Sequence, residues 1–417
     1  MKEERTKSFD FSVEEVVSSY EKVRRNKGGI GIDKESITEF EKDLEGNVYK
    51  IWNRLSSGSY MPPSVKEVMI PKKQGGKRPL GIPTVGDRVA QGVLKARLES
   101  KLETKFHRSS YGYRPGRSAQ EAVQRCKENC LQYSWVIDLD IKGFFDNISH
   151  EWMMRMVKHH TEEKSMLLYV ERWLKSKVQL EDGTVVERTK GTPQGGVISP
   201  LLSNLYLHHG FDMWMEKYHK STPFERYADD IVIHCNSLEQ AEEVLLEIKE
   251  RLKKFDLELH EDKTKIVYCK DDRRKGSYQN ESFTFLGYSF QPRCLRNKTT
   301  NKIFMGFIPA ISEASKTFVR KRIREVFNPR WTVLNVNDIA KILNPKIRGW
   351  YNYFSKSCPY ELQGIYFYID ERLREWLRNK FRVRIKKSVL LMNQLIQESK
   401  GNLFYHWKYF HKSLITE

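Results

Sequence analysis

The 417-residue chain has no run of 18 or more apolar residues, which excludes a helical membrane span by sequence. Its first dozen residues, MKEERTKSFDFS, lack the apolar stretch of a secretory leader. The six cysteines (Cys126, Cys130, Cys235, Cys269, Cys294 and Cys358) form no C-x-x-C pair and have no matching pair of histidines. That argues against a structural zinc site and a disulfide framework, and the expected home is a reducing, cytoplasmic compartment. No internal repeat and no low-complexity tract interrupts the chain.

Positive charge, by contrast, is abundant. The formal net charge is +19, far more than solubility requires, and it favours a polyanionic partner. It is unevenly placed: residues 301–417 hold 22 Lys/Arg against 9 Asp/Glu, about two-thirds of the excess. Trp331, Trp350, Tyr351, Tyr353, Phe354, Trp376, Tyr405 and Trp407 are mixed into the same stretch. Rings of this kind stack on bases and sugars, so the pattern favours nucleic-acid binding over a merely solvated basic face.

The middle of the chain alternates strands and helices. Strands are expected at 65–70 and 78–82 around a Gly-rich turn, then at 135–141 and 265–269. A hairpin is expected over 224–235, and helices over 87–105, 151–160, 165–177, 200–217 and 238–255. This is an α+β pattern, a small sheet with helices on one face. Beyond 310 the pattern is almost wholly helical, and RNKTTNK suggests a turn or linker near 300–310.

Two acidic motifs stand out. In R-Y-A-D-D-I-V-I, Asp229 and Asp230 sit side by side at the expected hairpin tip, where they repel each other and where β-structure disfavours Asp. In V-I-D-L-D-I-K-G-F-F-D, Asp138 and Asp140 lie two apart, on one face of a strand. A strand end laid beside the hairpin tip would join Asp140 to Asp229. Such carboxylates can bridge two Mg²⁺ ions ~3.5–4 Å apart, as nucleotidyl transfer requires.

With these motifs the sequence resembles the group II intron-encoded reverse transcriptase/maturase family over almost its whole length. The resemblance implies a right-hand polymerase: fingers and palm from a small antiparallel sheet with helices, followed by an all-helical thumb. Its expected divisions are an N-terminal extension at 1–60, fingers and palm at 61–305, and thumb/maturase domain with basic tail at 306–417. Asp140, Asp229 and Asp230 match the family's metal-binding acids, for two Mg²⁺ with Mn²⁺ as a substitute. Phe145, five residues after Asp140, matches the sugar gate. G-T-P-Q-G-G-V-I-S-P-L-L at 191–202, with Gln194 and Gly195, is similar to the nucleotide- and template-contacting loop. I-P-K-K-Q-G-G-K-R-P-L-G-I-P at 70–83 is similar to the fingers hairpin, with Lys72 and Arg78 expected to clamp the triphosphate. Arg114 in S-Y-G-Y-R-P-G-R-S is expected at template or nucleotide, Lys263 as a proton donor to pyrophosphate, and Tyr288 in F-L-G-Y at the primer end.

The loop at 26–33 is similar to one that the family adds ahead of the fingers, with Lys34 in place of the usual glycine. L-N-P-K-I-R-G-W-Y-N-Y-F at 343–354, with Arg348 and Trp350, resembles the maturase motif, and L-F-Y-H-W at 403–407 matches the tail of compact members. The implied partners are intron RNA, an RNA template with a DNA or RNA primer, dNTPs and, as a further candidate, target DNA. The Cys/His clusters of the family's endonuclease domain are missing, so no DNA cleavage is expected. The rival readings are a splicing maturase without polymerase activity and a reverse transcriptase repurposed for host defence.

Overall fold

The computed structural model describes residues 8–71, 76–297, 299–327 and 332–410. The chain divides into two compact units, one of residues 1–122 with 135–266, the other of 123–134 with 267–417.

The first unit is built around helix Val85–Leu102. Thr84 caps its N-terminus by accepting a hydrogen bond from the Asp87 amide, and Val85, Val89, Ala90, Val93, Leu94, Leu98 and Leu102 are all buried. Helix Val13–Asn26 opens with a reciprocal capping box between Ser12 and Glu15. It packs so closely that the Ser19 hydroxyl donates to the Val89 carbonyl at 2.7 Å. Arg97 ties the two helices through both oxygens of Glu15, each contact at 2.6 Å.

Asp87 is the polar hub of this region. It is 1% exposed, and accepts from Tyr60 Oη at 3.0 Å, Trp173 Nε1 at 2.8 Å and Gln91 Nε2 at 2.9 Å. Burial pushes its carboxyl above the usual range, and the three donors pull in the opposite direction.

Two sheets carry the working surfaces. Strands β1 (Val65–Pro71) and β2 (Lys77–Ile82) form an antiparallel hairpin with Ile70 opposite Arg78. The short strands β4 (Val178–Gln179) and β5 (Val185–Val186) extend that sheet in the order β2–β1–β4–β5. The other sheet contains β3 (Trp135–Asp140), β6 (Phe224–Tyr227) and β7 (Asp230–Cys235), with β8 (Lys265–Tyr268) as its fourth member. Its order is β6–β7–β3–β8. The expected strands and hairpin are present, so the α+β reading holds.

One expected element is different. The single helix predicted over 200–217 is three: Ser199–Leu207, a π-helical turn His208–Asp212, and Met213–Tyr218. Arg251 supports the widened turn by donating to the carbonyls of His209 at 2.9 Å and Gly210 at 3.0 Å.

The second unit pairs a small sheet with helices. Strands β9 (Phe283–Phe285), β10 (Tyr288–Arg296) and β11 (Ile303–Ile311) run antiparallel in the order β11–β10–β9. β10 and β11 thus form a long antiparallel hairpin in which Arg296 pairs with Ile303. Helices Glu313–Val326, Val336–Phe354, Gln363–Phe381 and Ile385–Glu398 follow. Asn344 joins the two maturase-like segments: its amide donates to the Leu403 carbonyl at 2.9 Å and its oxygen accepts from the Tyr405 amide at 2.8 Å. Buried Asp370 receives His406 Nε2 and Trp407 Nε1, each at 3.0 Å. Among the described residues no helix is long and apolar enough to cross a membrane.

Replacing Asp87 with Ala strands three buried donors, at about 1–3 kcal/mol for each one left unpaired. The expected outcome is a loss of several kcal/mol in denaturant unfolding. A loss below about 1 kcal/mol would refute the hub role.

Candidate active site

The site begins with strand register. β3 and β7 are antiparallel with Asp140 directly opposite Asp230, and β6 pairs Tyr227 with Asp230. Directly opposed residues project on the same face, with Cβ atoms about 4.5–5.5 Å apart. Asp229 occupies the two-residue turn between β6 and β7, so the expected meeting of the two motifs takes place at one sheet end. Asp140, Asp229 and Asp230 are all half-buried.

The turn is held from below. Ala228 has φ +58°, a left-handed conformation that costs a non-glycine residue on the order of 1 kcal/mol or more. Arg226 compensates from within the core. Its guanidinium is fully buried, donating from Nε to Asp212 Oδ1 at 2.7 Å and from a terminal nitrogen to Oδ2 at 2.5 Å. The same side chain donates to Asn204 Oδ1 at 3.0 Å and to the Ala228 carbonyl at 3.2 Å. Asn204 in turn donates to the Gly112 carbonyl at 2.6 Å. A Cβ on Gly112 would lie 2.5 Å from the Ala228 amide nitrogen, so only glycine lets that loop rest on the turn.

The other end of the acidic pair is pinned by residues 260–264. The His260 amide donates to the Asp140 carbonyl at 2.8 Å, and Lys263 Nζ stands 3.4 Å from both Asp140 carboxylate oxygens. Both partners are about half exposed, so this ion pair is screened and weak.

The electrostatics favour a cation. Burial first, and then the charge of Asp140, push the Asp229 carboxyl above its ordinary range. Asp138, on the face of β3 that bears Asp140, is raised to about 7 by burial, with Lys265 at 3.9 Å opposing the shift. The donor set is carboxylate oxygen, crowded and partly desolvated, which suits a hard divalent cation better than a soft one.

Around the acids lie the other predicted residues of this unit. Phe144 is buried in the core, whereas its neighbour Phe145 is half exposed. The Phe145 carbonyl accepts from the Thr192 amide at 2.8 Å, fastening the 191–196 loop to the segment that follows β3. The Gln194 carbonyl accepts from the Gly81 amide at 2.6 Å, and a Cβ on Gly195 would lie 2.4 Å from the Gly81 carbonyl oxygen. The β1–β2 hairpin and the glycine loop are therefore in backbone contact. Arg78 is exposed on β2, and its charge reaches the Asp229 carboxyl. Lys72 lies outside the described residues.

Arg114 has a different position from the one expected. Its guanidinium donates to Glu103 Oε1 at 2.7 and 3.0 Å and to the carbonyls of His107 and Ser110, both at 2.7 Å. It clamps its own loop and presents little surface to a template.

In the second unit, Tyr288 is buried and its hydroxyl donates to the Tyr353 carbonyl. Leu286 and Gly287, both at positive φ, form the partly exposed turn beside it. Arg348 is exposed and Trp350 half exposed on helix Val336–Phe354.

Sequence reasoning missed Arg226, Asp212, Asn204 and Gly112. The available signal was an arginine in the short strand Phe224–Tyr227, three residues ahead of the paired acids.

Comparison with known proteins agrees with this geometry. The family profile described as "Reverse transcriptase (RNA-dependent DNA polymerase)" matches residues 70–290. A second, "Group II intron, maturase-specific domain", matches residues 316–391. Protein YkfC of Escherichia coli K12 is 30% identical over 295 residues, 62% of this chain and 74% of that protein. The group II intron-encoded protein LtrA of Lactococcus lactis is 32% identical over 263 residues, 62% of this chain. An uncharacterised 91 kDa protein in the cob intron of Schizosaccharomyces pombe is 25% identical over 423 residues, 84% of this chain. The chain spans 41% of the Lactococcus protein and 50% of the yeast one.

Asp212→Ala would leave the Arg226 charge buried and unpaired, a loss of about 3–5 kcal/mol. Chemical denaturation should show that loss, and the paired change Asp212→Leu with Arg226→Met should recover much of it. No recovery would mean that the pair is not the unit that matters.

Proposed function

This chain belongs to the reverse transcriptase family and carries a group II intron maturase-specific domain, and from that premise we propose that it copies RNA into DNA for a group II intron. The reaction is attack of a primer 3′-hydroxyl on the α-phosphate of a deoxynucleoside triphosphate. The single observation that carries the site is the register placing Asp140 opposite Asp230, with Asp229 in the adjoining turn. These three carboxylates would hold two Mg²⁺, with Mn²⁺ able to substitute. When bound, such ions activate the 3′-hydroxyl and stabilise the leaving pyrophosphate.

The chain's own residues supply the rest. Arg78 would grip the triphosphate, its planar fork suited to phosphate oxygens, with Lys72 as its partner on the hairpin. Gln194 and Gly195 would offer side-chain and backbone contacts to nucleotide and template from a loop anchored to Gly81. Phe145, half exposed in the segment that follows β3, would exclude a 2′-hydroxyl. Lys263, already beside Asp140, would give a proton from Nζ to the departing pyrophosphate. The turn at Leu286–Gly287–Tyr288 would support the primer end through its backbone, because the Tyr288 ring is buried.

The helical second unit would bind intron RNA and promote splicing and mobility. The exposed Arg348 and the half-exposed Trp350 offer charge and stacking there. Target DNA is a further proposed partner. All six cysteines are free thiols, which suits a reducing cytoplasm.

Primer extension on an RNA template with dNTPs and Mg²⁺ tests the reading. Asp140→Asn and Asp229→Asn should each lower the rate at least about a hundredfold, as losing a charge-stabilising metal does. Undiminished extension by either variant would reject the site. RNA binding without extension by the wild type would leave only the splicing role.

The raised carboxyl of Asp229 gives a pH signature. Above its pKa the carboxylate is available to metal, and as pH falls through that value it is lost. At limiting Mg²⁺ the extension rate should fall on the acid side, and saturating Mg²⁺ should restore it. Equal acid limbs at both Mg²⁺ levels would disprove the assignment. Phe145→Ala should raise ribonucleotide use relative to deoxynucleotide by roughly tenfold or more in single-nucleotide insertion.

A further inference from the structure

Away from the carboxylates, the first unit gathers histidines at the end of helix His150–His160 and on the π-helical turn His208–Asp212. The Nε2 atoms of His160 and His209 face each other at 2.8 Å. The ring centroids of His160 and His209 are 5.0 Å apart, and the His159 ring lies 5.0 Å from the first and 5.7 Å from the second. Three imidazoles bound to one tetrahedral ion at ~2.0–2.1 Å carry their ring centres roughly 5 Å apart. The observed triangle is close to that.

We propose that His160 and His209, joined by His159, form a binding site for Zn²⁺ or a similar imidazole-seeking divalent cation. Without an ion, one proton must lie between the two facing nitrogens as an N–H···N bond. Removing it leaves two lone pairs converging on one point. His159, exposed beside them, would have to turn its ring to bring a nitrogen to that point, and water would complete the shell.

The position of His209 is built into the fold. It depends on the inserted residue of the π-turn, an irregularity that often marks functional positions. Arg251 fixes that turn by bonding the His209 and Gly210 carbonyls. Burial lowers His209 to about 4 and moves His160 in the same direction, so the rings are neutral and able to ligate. The charge of Lys105, which also acts on His160, opposes a cation and limits the affinity.

The site differs in kind from the polymerase acids, being nitrogen-rich where they are oxygen-rich. It would tie the end of one helix to the turn that carries Asp212, the partner of Arg226 beneath the catalytic hairpin.

The test titrates Zn²⁺ into the untagged full chain, without nucleic acid, against a chromogenic zinc chelator. The expected result is one equivalent bound by the wild type and by Asp140→Asn. His159→Gln should weaken binding roughly tenfold or more, in the range by which removal of a supporting residue weakens a metal site. The double variant His160→Gln/His209→Gln should lose the equivalent while keeping its circular dichroism spectrum and primer extension. Co²⁺ should give tetrahedral visible absorption in the wild type and in Asp140→Asn, and none in the double variant. The proposal is overturned if the double variant binds as much Zn²⁺ as the wild type. It is equally overturned if the wild type binds none and the variants merely melt earlier, since the pair is then a hydrogen bond only. Should the double variant not fold, unchanged affinity in the exposed His159→Gln variant, together with octahedral Co²⁺ spectra, would reject the site.

Discussion

The buried pairing of Arg226 with Asp212 is the constraint on which the catalytic face depends. Three carboxylates brought to one sheet end repel one another, and the turn between two of them contains Ala228 at positive φ. Neither feature would persist on a pliable support. Arg226 uses one planar group to satisfy Asp212, Asn204 and the Ala228 carbonyl together, which fixes the turn from its inner side. Fully desolvated ion pairs give modest net stability, yet losing one partner is severe. Geometry, more than stability, is what such a pair supplies here.

From that turn the rigidity spreads through backbone contacts. Gly112 rests on Ala228, Asn204 holds the Gly112 carbonyl, and Gly195 lies against Gly81. Side chains have been removed wherever two main chains must meet. Phe145, Gln194 and Arg78 sit on segments joined by these backbone contacts: Phe145 through its carbonyl to Thr192, Gln194 through its carbonyl to Gly81, and Arg78 on the strand that carries Gly81. Catalysis by positioning needs this, because errors of about 1 Å in a reacting geometry are costly.

The sequence made the acids legible because a strand has period two and a hairpin tip is short. Asp140 and Asp229 could be joined on paper from these facts alone. The hub at Asp87 could not, because one acid in a helix start looks like a cap until Tyr60 and Trp173 are seen to converge on it. The π-turn was hidden for a related reason: His208–Asp212 continues the helix on both sides, and one inserted residue widens a turn without breaking it. Arg114 looked like a nucleic-acid contact because sequence gives its charge but not its solvent exposure. Fold class and the meeting of the acids follow from local periodicity, whereas the supports beneath them come from residues distant in sequence.

The uneven charge along the chain has its explanation in this arrangement. A cluster of acids repels nucleic acid until cations cover it, so the grip on the polyanion must come from elsewhere. The basic, aromatic-rich second unit can provide that grip, because counterion release supplies affinity without sequence readout. Its elements are fastened both by polar contacts, with Asn344 bridging Leu403 and Tyr405 and Asp370 taking His406 and Trp407, and by ion pairs of Glu361 with Arg293 and Lys316. Most of its other Lys and Arg side chains remain at the surface. Strand register sets the placement of the acids, and in the proposed reading the cationic second unit would supply the hold on RNA.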